Sequence, residues 1–193
     1  NAVYSFVSMY DESLGIDWPI PLDECEVSDK DKNHPNLADA TPIKPKKTLI
    51  VGANGQLGRA FQALFPDAEC VDRNSLDISS PDIFTARRWR DYGTILNAAA
   101  YTAVDLAETA EGRQDAWKAN ASAVANLAQI STKYGITLVH VSSDYVFDGT
   151  ASEHTEEEAF AALGGSGQAK AAGDIAAATT PRHDIAGTRW DIG

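Results

Sequence analysis

Gly52, Gly55 and Gly58 follow a short apolar run, TLIV at Thr48 to Val51, at GxxGxxG spacing. A strand that runs into glycines lets the backbone turn tightly and come close to a pyrophosphate. The helix that follows offers free N–H groups and the positive end of its dipole. The chemistry these residues point to is dinucleotide binding. The helix predicted from Gln56 through Ala60 and Leu64 to Phe65 is stopped by Pro66, and a second strand, ECVD at Glu69 to Asp72, ends in an acid. That acid follows the first glycine by about 20 residues, the separation at which a carboxylate accepts hydrogen bonds from an adenosine ribose.

The elements that must position this turn are legible as an alternation. Strands TLIV, AECVD, TILNAAA and ITLVHVS are separated by helices predicted around 56–65, 81–91 and 113–134, which implies right-handed βαβ crossovers and a parallel sheet covered on both faces. Trp117, Val124, Leu127, Ala128 and Ile130 form an apolar stripe expected to face the core. The Ala-rich stretch 169–178 predicts a further helix. Before Lys47 the texture differs: residues 11–47 hold most of the prolines, many Asp and Lys, and almost no apolar periodicity. Residues 1–47 are therefore expected to be an extended arm or linker, and 48–193 a nucleotide-binding domain.

Composition bounds the partners. A chain of 193 residues carrying a net charge of -12 is long enough for one ordinary domain, and its acidity argues against nucleic acid or an anionic membrane surface. No apolar run approaches the roughly 20 residues of a membrane span, and the first residues do not read as a leader. A cytoplasmic location is expected. Cys25 and Cys70 lack metal-ligand or CxxC spacing, so plain thiols and no metal are expected.

Four segments in order carry a family resemblance: VGANGQLG at Val51 to Gly58, DRNSLDI at Asp72 to Ile78, NAAAYTAVDLAE at Asn97 to Glu108, and VSSDYVFDG at Val141 to Gly149. Together they resemble the dTDP-4-dehydrorhamnose reductases of the extended short-chain dehydrogenase/reductase class. LGIDWPIP at Leu14 to Pro21, with Val27 to Asp31, Pro35 and Leu37, resembles the C-terminal end of dTDP-4-dehydrorhamnose 3,5-epimerases. The resemblance implies a Rossmann-type doubly wound parallel sheet. It implies NADPH or NADH as cofactor and a dTDP-sugar as substrate, with a homo-oligomer or a docked epimerase domain as further partners. The chain resembles about the first half of the reductase, so the sheet is expected to be incomplete at its C-terminal side and the nucleotide-sugar lobe absent.

The same resemblance implies residue roles. Gly52, Asn54, Gly55, Gln56, Leu57 and Gly58 surround the pyrophosphate; Asp72 faces the adenosine ribose; Asp77 and Ile78 flank the adenine; Ala98, Ala99 and Ala100 pass under the nicotinamide. Arg73, directly after Asp72, can instead pair with a 2′-phosphate, which leaves NADH and NADPH both open. Tyr101, Thr102, Ser143, Asp144 and Tyr145 fall on the substrate side, while Asp105 and Glu108 read equally as a solvated helix start. Carbonyl reduction in this class uses a hydroxyl to polarise the ketone, a tyrosine to deliver the proton, and a lysine four residues later that also holds the nicotinamide ribose. Ser143 matches the hydroxyl and Lys170 the lysine, but Ser166 stands at the tyrosine position. An aliphatic hydroxyl is a poor proton donor near neutral pH, so slow or absent turnover is expected. The expected fifth strand, Arg182 to Gly193, conflicts with itself, because Asp184, Arg189 and Asp191 interrupt what a buried parallel strand requires.

Overall fold

The computed structural model describes residues 4–151, 153–155 and 158–188. The chain separates into two units, Asn1–Pro45 and Lys46–Gly193. In the first, a 3-10 turn (Glu12–Leu14) capped by Asp11, a second, Leu22–Glu24, without a side-chain cap, and the short helix α1 (Asp29–Lys32) capped by Ser28 follow one another. The stretch doubles back instead of running straight. The Ser8 N–H donates to the Pro35 carbonyl at 2.7 Å, the Leu37 N–H donates to Asp11 at 2.6 Å, and the Phe6 ring stacks on His34 at 4.7 Å.

In the second unit the strands are β1 (Lys47–Val51), β2 (Glu69–Val71), β3 (Tyr92–Asn97), β4 (Thr137–Ser143) and β5 (His183–Thr188). All pair in parallel, in the order β2-β1-β3-β4-β5. The order reverses between β1 and β3, which opens a crevice at their carboxyl ends. Successive side chains point to opposite faces. Leu49, Val51, Ile95 and Leu138 pack with Val124, Leu127 and Ile130 of α4 (Ala123–Tyr134), whereas Ile50, Leu96 and Val139 meet Phe61 of α2 (Gln56–Leu64). The doubly wound α/β fold expected from the alternation is therefore present. Among the described residues no helix is long and apolar enough to cross a membrane.

Three expectations are corrected. No continuous helix spans 81–91; two 3-10 turns, Pro81–Phe84 and Trp89–Asp91, stand there instead. The break lets the Trp89 indole enter the core, where its N–H donates to the Ile83 carbonyl at 2.9 Å. Trp117 does not join the core stripe and is 42% exposed. It ends α3 (Ala110–Trp117), and a π-helical turn, Lys118–Ser122, links α3 to α4 and shifts the register between them. Finally, β5 is not a buried strand: all six of its residues are exposed, so Asp184 meets water and the apparent conflict disappears. Arg189 and Asp191 lie outside the described residues.

Candidate functional site

Two clefts open at the carboxyl end of the sheet. The first, of about 400 Å³, sits over the β1/β3 reversal and is lined by Gly52, Asn54, Gly55, Asp72, Arg73, Asp77, Ile78 and Ala98 to Tyr101. Gly52 has φ +78°, and the peptide of Ala98 and Ala99 passes directly against it. Gln56 and Leu57 begin α2 just outside the wall, and Gly58 is buried within that helix. The cleft brings together most of the residues expected around a dinucleotide, and its glycine floor and helix N-terminus fit a pyrophosphate.

Asp72 is heavily engaged by its own loop. One carboxylate oxygen accepts the backbone N–H groups of Asn74 and Ser75 at 3.1 and 2.9 Å and the Ser75 hydroxyl at 2.9 Å; the other accepts the Asn54 amide at 2.7 Å. Ser75, first through its backbone N–H, holds the Asp72 carboxyl below the ordinary carboxylate range. Arg73 lines the same cleft and forms no ion pair among the described residues.

The second cleft, of about 1180 Å³, is lined by Ser143, Asp144, Tyr145, Glu108 and Ser166 together with Ser142, Asp174 and aromatic side chains. Ser143 Oγ donates to Asp144 at 3.1 Å and accepts the Tyr145 N–H at 3.2 Å. Ser166 lies in the first turn of α5 (Gly165–Ala178). Glu108 caps that helix, accepting the Gly165 N–H at 2.7 Å, so one carboxylate serves as helix cap and cleft wall. Asp105 and Thr102 are exposed and line neither cleft.

Lys170 differs most from expectation. It lines neither cleft, is 7% exposed, and has its Nζ 3.5 Å from His140 Nε2. With no phenol one turn before it, the charge that faces the ammonium is Asp174, inside the protein. Burial pulls Lys170 down from 10.5 to about 8. Between those values the unfolded chain binds more protons than the folded one, so raising the pH stabilises the fold. Lys170 alone should add about 2 kcal/mol between roughly pH 8 and pH 10. Urea denaturation should show that rise in the unaltered chain and not in Lys170→Met. Above about pH 10 the sign reverses, because burial, then Glu69, raises Tyr92 from 10.0 to about 12 and the folded chain now binds the extra proton.

Two functional neighbours escape a motif reading. Asn120, in the π turn, accepts the Tyr101 N–H at 2.8 Å and donates to the Tyr101 carbonyl at 3.0 Å, fixing the strand end that closes the first cleft. An amide within an apolar helical stripe was its only signal. His140, fully buried on β4, had none beyond being polar in a strand.

Residues 46–191 match the family described as RmlD substrate binding domain. A dTDP-4-dehydrorhamnose reductase of Aggregatibacter actinomycetemcomitans is 36% identical over 155 residues, 76% of this chain and 52% of that protein. A crystal structure of a dTDP-4-dehydrorhamnose reductase from Clostridium acetobutylicum superposes with a TM-score of 0.69 at 35% identity, covering 75% of this chain and 53% of that one. One from Bacillus anthracis in complex with NADP gives a TM-score of 0.66 at 30% identity, covering 76% and 54%. The chain thus spans about half the length of the relatives it matches.

Proposed function

The chain belongs to the RmlD family of dTDP-4-dehydrorhamnose reductases, and from that premise we propose that it binds NADPH in the first cleft and serves reduction of dTDP-4-dehydro-L-rhamnose to dTDP-L-rhamnose. The bound nicotinamide supplies hydride to C4 of the sugar. The residues of this chain do the rest: the Gly52–Gly55 turn and the start of α2 receive the pyrophosphate, Ala98 to Ala100 give the ring room, and Ser143 holds the ketone oxygen in the second cleft. Ser166 occupies the proton-donor position. We read residues 1–47, on their sequence alone, as the tail of an epimerase domain, which would join consecutive steps of one route.

One observation carries the cofactor reading: a carboxylate satisfied by its own loop and by Asn54 stands beside a guanidinium with no ion-pair partner among the described residues at the adenosine end of the cleft. A phosphate on the 2′-oxygen would pair with Arg73, and a charge-assisted pair of that kind is worth about 1.5–3 kcal/mol. Calorimetric titration should show NADPH binding at least about tenfold more tightly than NADH, with Arg73→Gln removing the difference. Equal affinities would assign the adenosine end to Asp72; heat from neither would overturn the reading. The runner-up, a dinucleotide-binding module without catalysis, is favoured by Ser166 and by a Lys170 that lines neither cleft.

A further inference from the structure

From Ala99 on the wall of the first cleft to Ser142 and Asp174 on the wall of the second runs a chain of polar contacts through buried Asn97 and His140. The Ala99 N–H donates to Asn97 Oδ1 at 3.2 Å, and Asn97 Nδ2 lies 3.0 Å from His140 Nδ1. That orientation of the amide makes Nδ2 the donor, so His140 Nδ1 accepts and the imidazole proton sits on Nε2. Nε2 lies 3.3 Å from Asp174 Oδ1 and 3.5 Å from Lys170 Nζ. The other Asp174 oxygen accepts the Ser142 hydroxyl, next in sequence to Ser143. Asp174 is 2% exposed, and the nearest donor to its Oδ1 is His140 Nε2 at 3.3 Å, which leaves that oxygen without a well-formed hydrogen bond. Burial also lowers His140 below its ordinary value, which keeps it neutral at neutral pH.

Of the other charged groups on elements packed against α5, Glu111 of α3 and Lys133 of α4 are exposed, Lys133 lying over the Tyr134 ring, and the rest are occupied elsewhere. Glu108 and Arg113 pair with each other, Asp144 takes the Ser143 hydroxyl, and His183 and Asp184 stand exposed on β5. Asp115 and Lys118 border the first cleft. A buried ammonium needs a counter-charge, and an unsatisfied buried carboxylate oxygen needs a donor; each is what the other lacks. An ammonium beside Nε2–H sets donor against donor, whereas a neutral amine there can accept. Lys170 and the Ala99 peptide are thus joined by one run of polar contacts through His140 and Asn97.

We propose that Asp174, His140 and Asn97 are positioning residues for Lys170: Asp174 supplies its counter-charge, and His140 with Asn97 couples its protonation to the Ala99 peptide under the dinucleotide cleft. The importance of that peptide to a cofactor rests on the proposed function; the coupling itself does not.

The test is carbon-13 NMR of the lysine Cε groups of the full chain across pH, with Lys170 assigned by its loss in Lys170→Met, and the Ala99 amide followed in parallel. In the unaltered chain the Ala99 amide should titrate with the Lys170 midpoint. Asp174→Asn should lower that midpoint by at least about one pH unit, and Asp174→Glu should return it most of the way. An Ala99 amide that stays flat through the Lys170 transition, which needs no variant to fold, would overturn the coupling. A midpoint unmoved in folded Asp174→Asn would overturn the counter-charge. Both readouts are taken without nucleotide, so failure to bind NADPH would sink the functional reading and leave the coupling standing.

Discussion

Gly52→Ala should cost the fold about 2–5 kcal/mol and abolish dinucleotide binding, while Gly55→Ala should keep the fold to within about 1 kcal/mol and still weaken binding. At Gly52 the backbone has φ +78°, and an added Cβ would stand 2.6 Å from the Ala99 nitrogen and 2.7 Å from its Cα. Both obstacles are backbone of the neighbouring strand end, so neither can swing aside. The left-handed conformation adds about 1–2 kcal/mol for any L side chain and forced overlap about 1–3 kcal/mol. Gly55 has an ordinary φ of -71°, and a Cβ there meets only the Gly52 carbonyl, at 3.3 Å. Its methyl would project at the wall of the first cleft, where a pyrophosphate approaches the start of α2. Urea denaturation and NADPH titration of the two variants separate architecture from binding. A stable Gly52→Ala would refute the close strand-end approach. Unchanged affinity in Gly55→Ala would make the turn purely structural.

The sheet could be read from sequence because its signal is local. Runs such as TLIV and ITLVHVS bury alternate residues on two faces, and glycines or small residues follow where the strands must admit a ligand. Trp117 shows where such reading stops. Stepping back seven residues from Val124 lands on Trp117, and only the extra residue in the π turn moves the buried position to Ala116. Nothing in composition announces that insertion. The 81–91 segment failed for the opposite reason: Ser80 and Pro81 start a helix correctly, but burying Trp89 overrides its continuation. β5 reads as conflicted only if both its faces are covered, a tertiary fact no strand carries in its own residues.

At the site, the first cleft was legible because its residues come from strand ends in motif order. The polar chain behind it was not. Asn97, His140 and the pair Lys170 and Asp174 come from β3, β4 and α5, and only Lys170 and Asp174, four residues apart on α5, are connected by a spacing within one element. Lys170 could be found by its place in a motif, but its burial could not, because the His140 ring beside it comes from another element. It is 7% exposed beside His140 and lines neither cleft, away from the surface the motif would have it serve.

This burial of Lys170, together with Ser166, sets the expectation for catalysis. In an NADPH-oxidation assay with dTDP-4-dehydro-L-rhamnose, the chain should turn over about 10²–10⁴-fold more slowly than a relative with a tyrosine one turn before the lysine, the usual contribution of a positioned general acid. A serine hydroxyl cannot replace the phenol, because its proton is far less acidic and a nearby ammonium cannot bring it within reach of neutral pH. Ser166→Tyr should recover only part of the loss. Its ring has room in a cleft of about 1180 Å³, but Lys170 remains held among His140 and Asp174 and is not presented to that cleft. Ser166→Tyr should therefore show a rate that climbs with a pH profile still set by the uncoupled phenol. A full rate from the unaltered chain would mean that the proton comes from another group. Tyr145, 53% exposed on the same cleft and two residues from Ser143, would then be the donor, and Tyr145→Phe would have to abolish that rate.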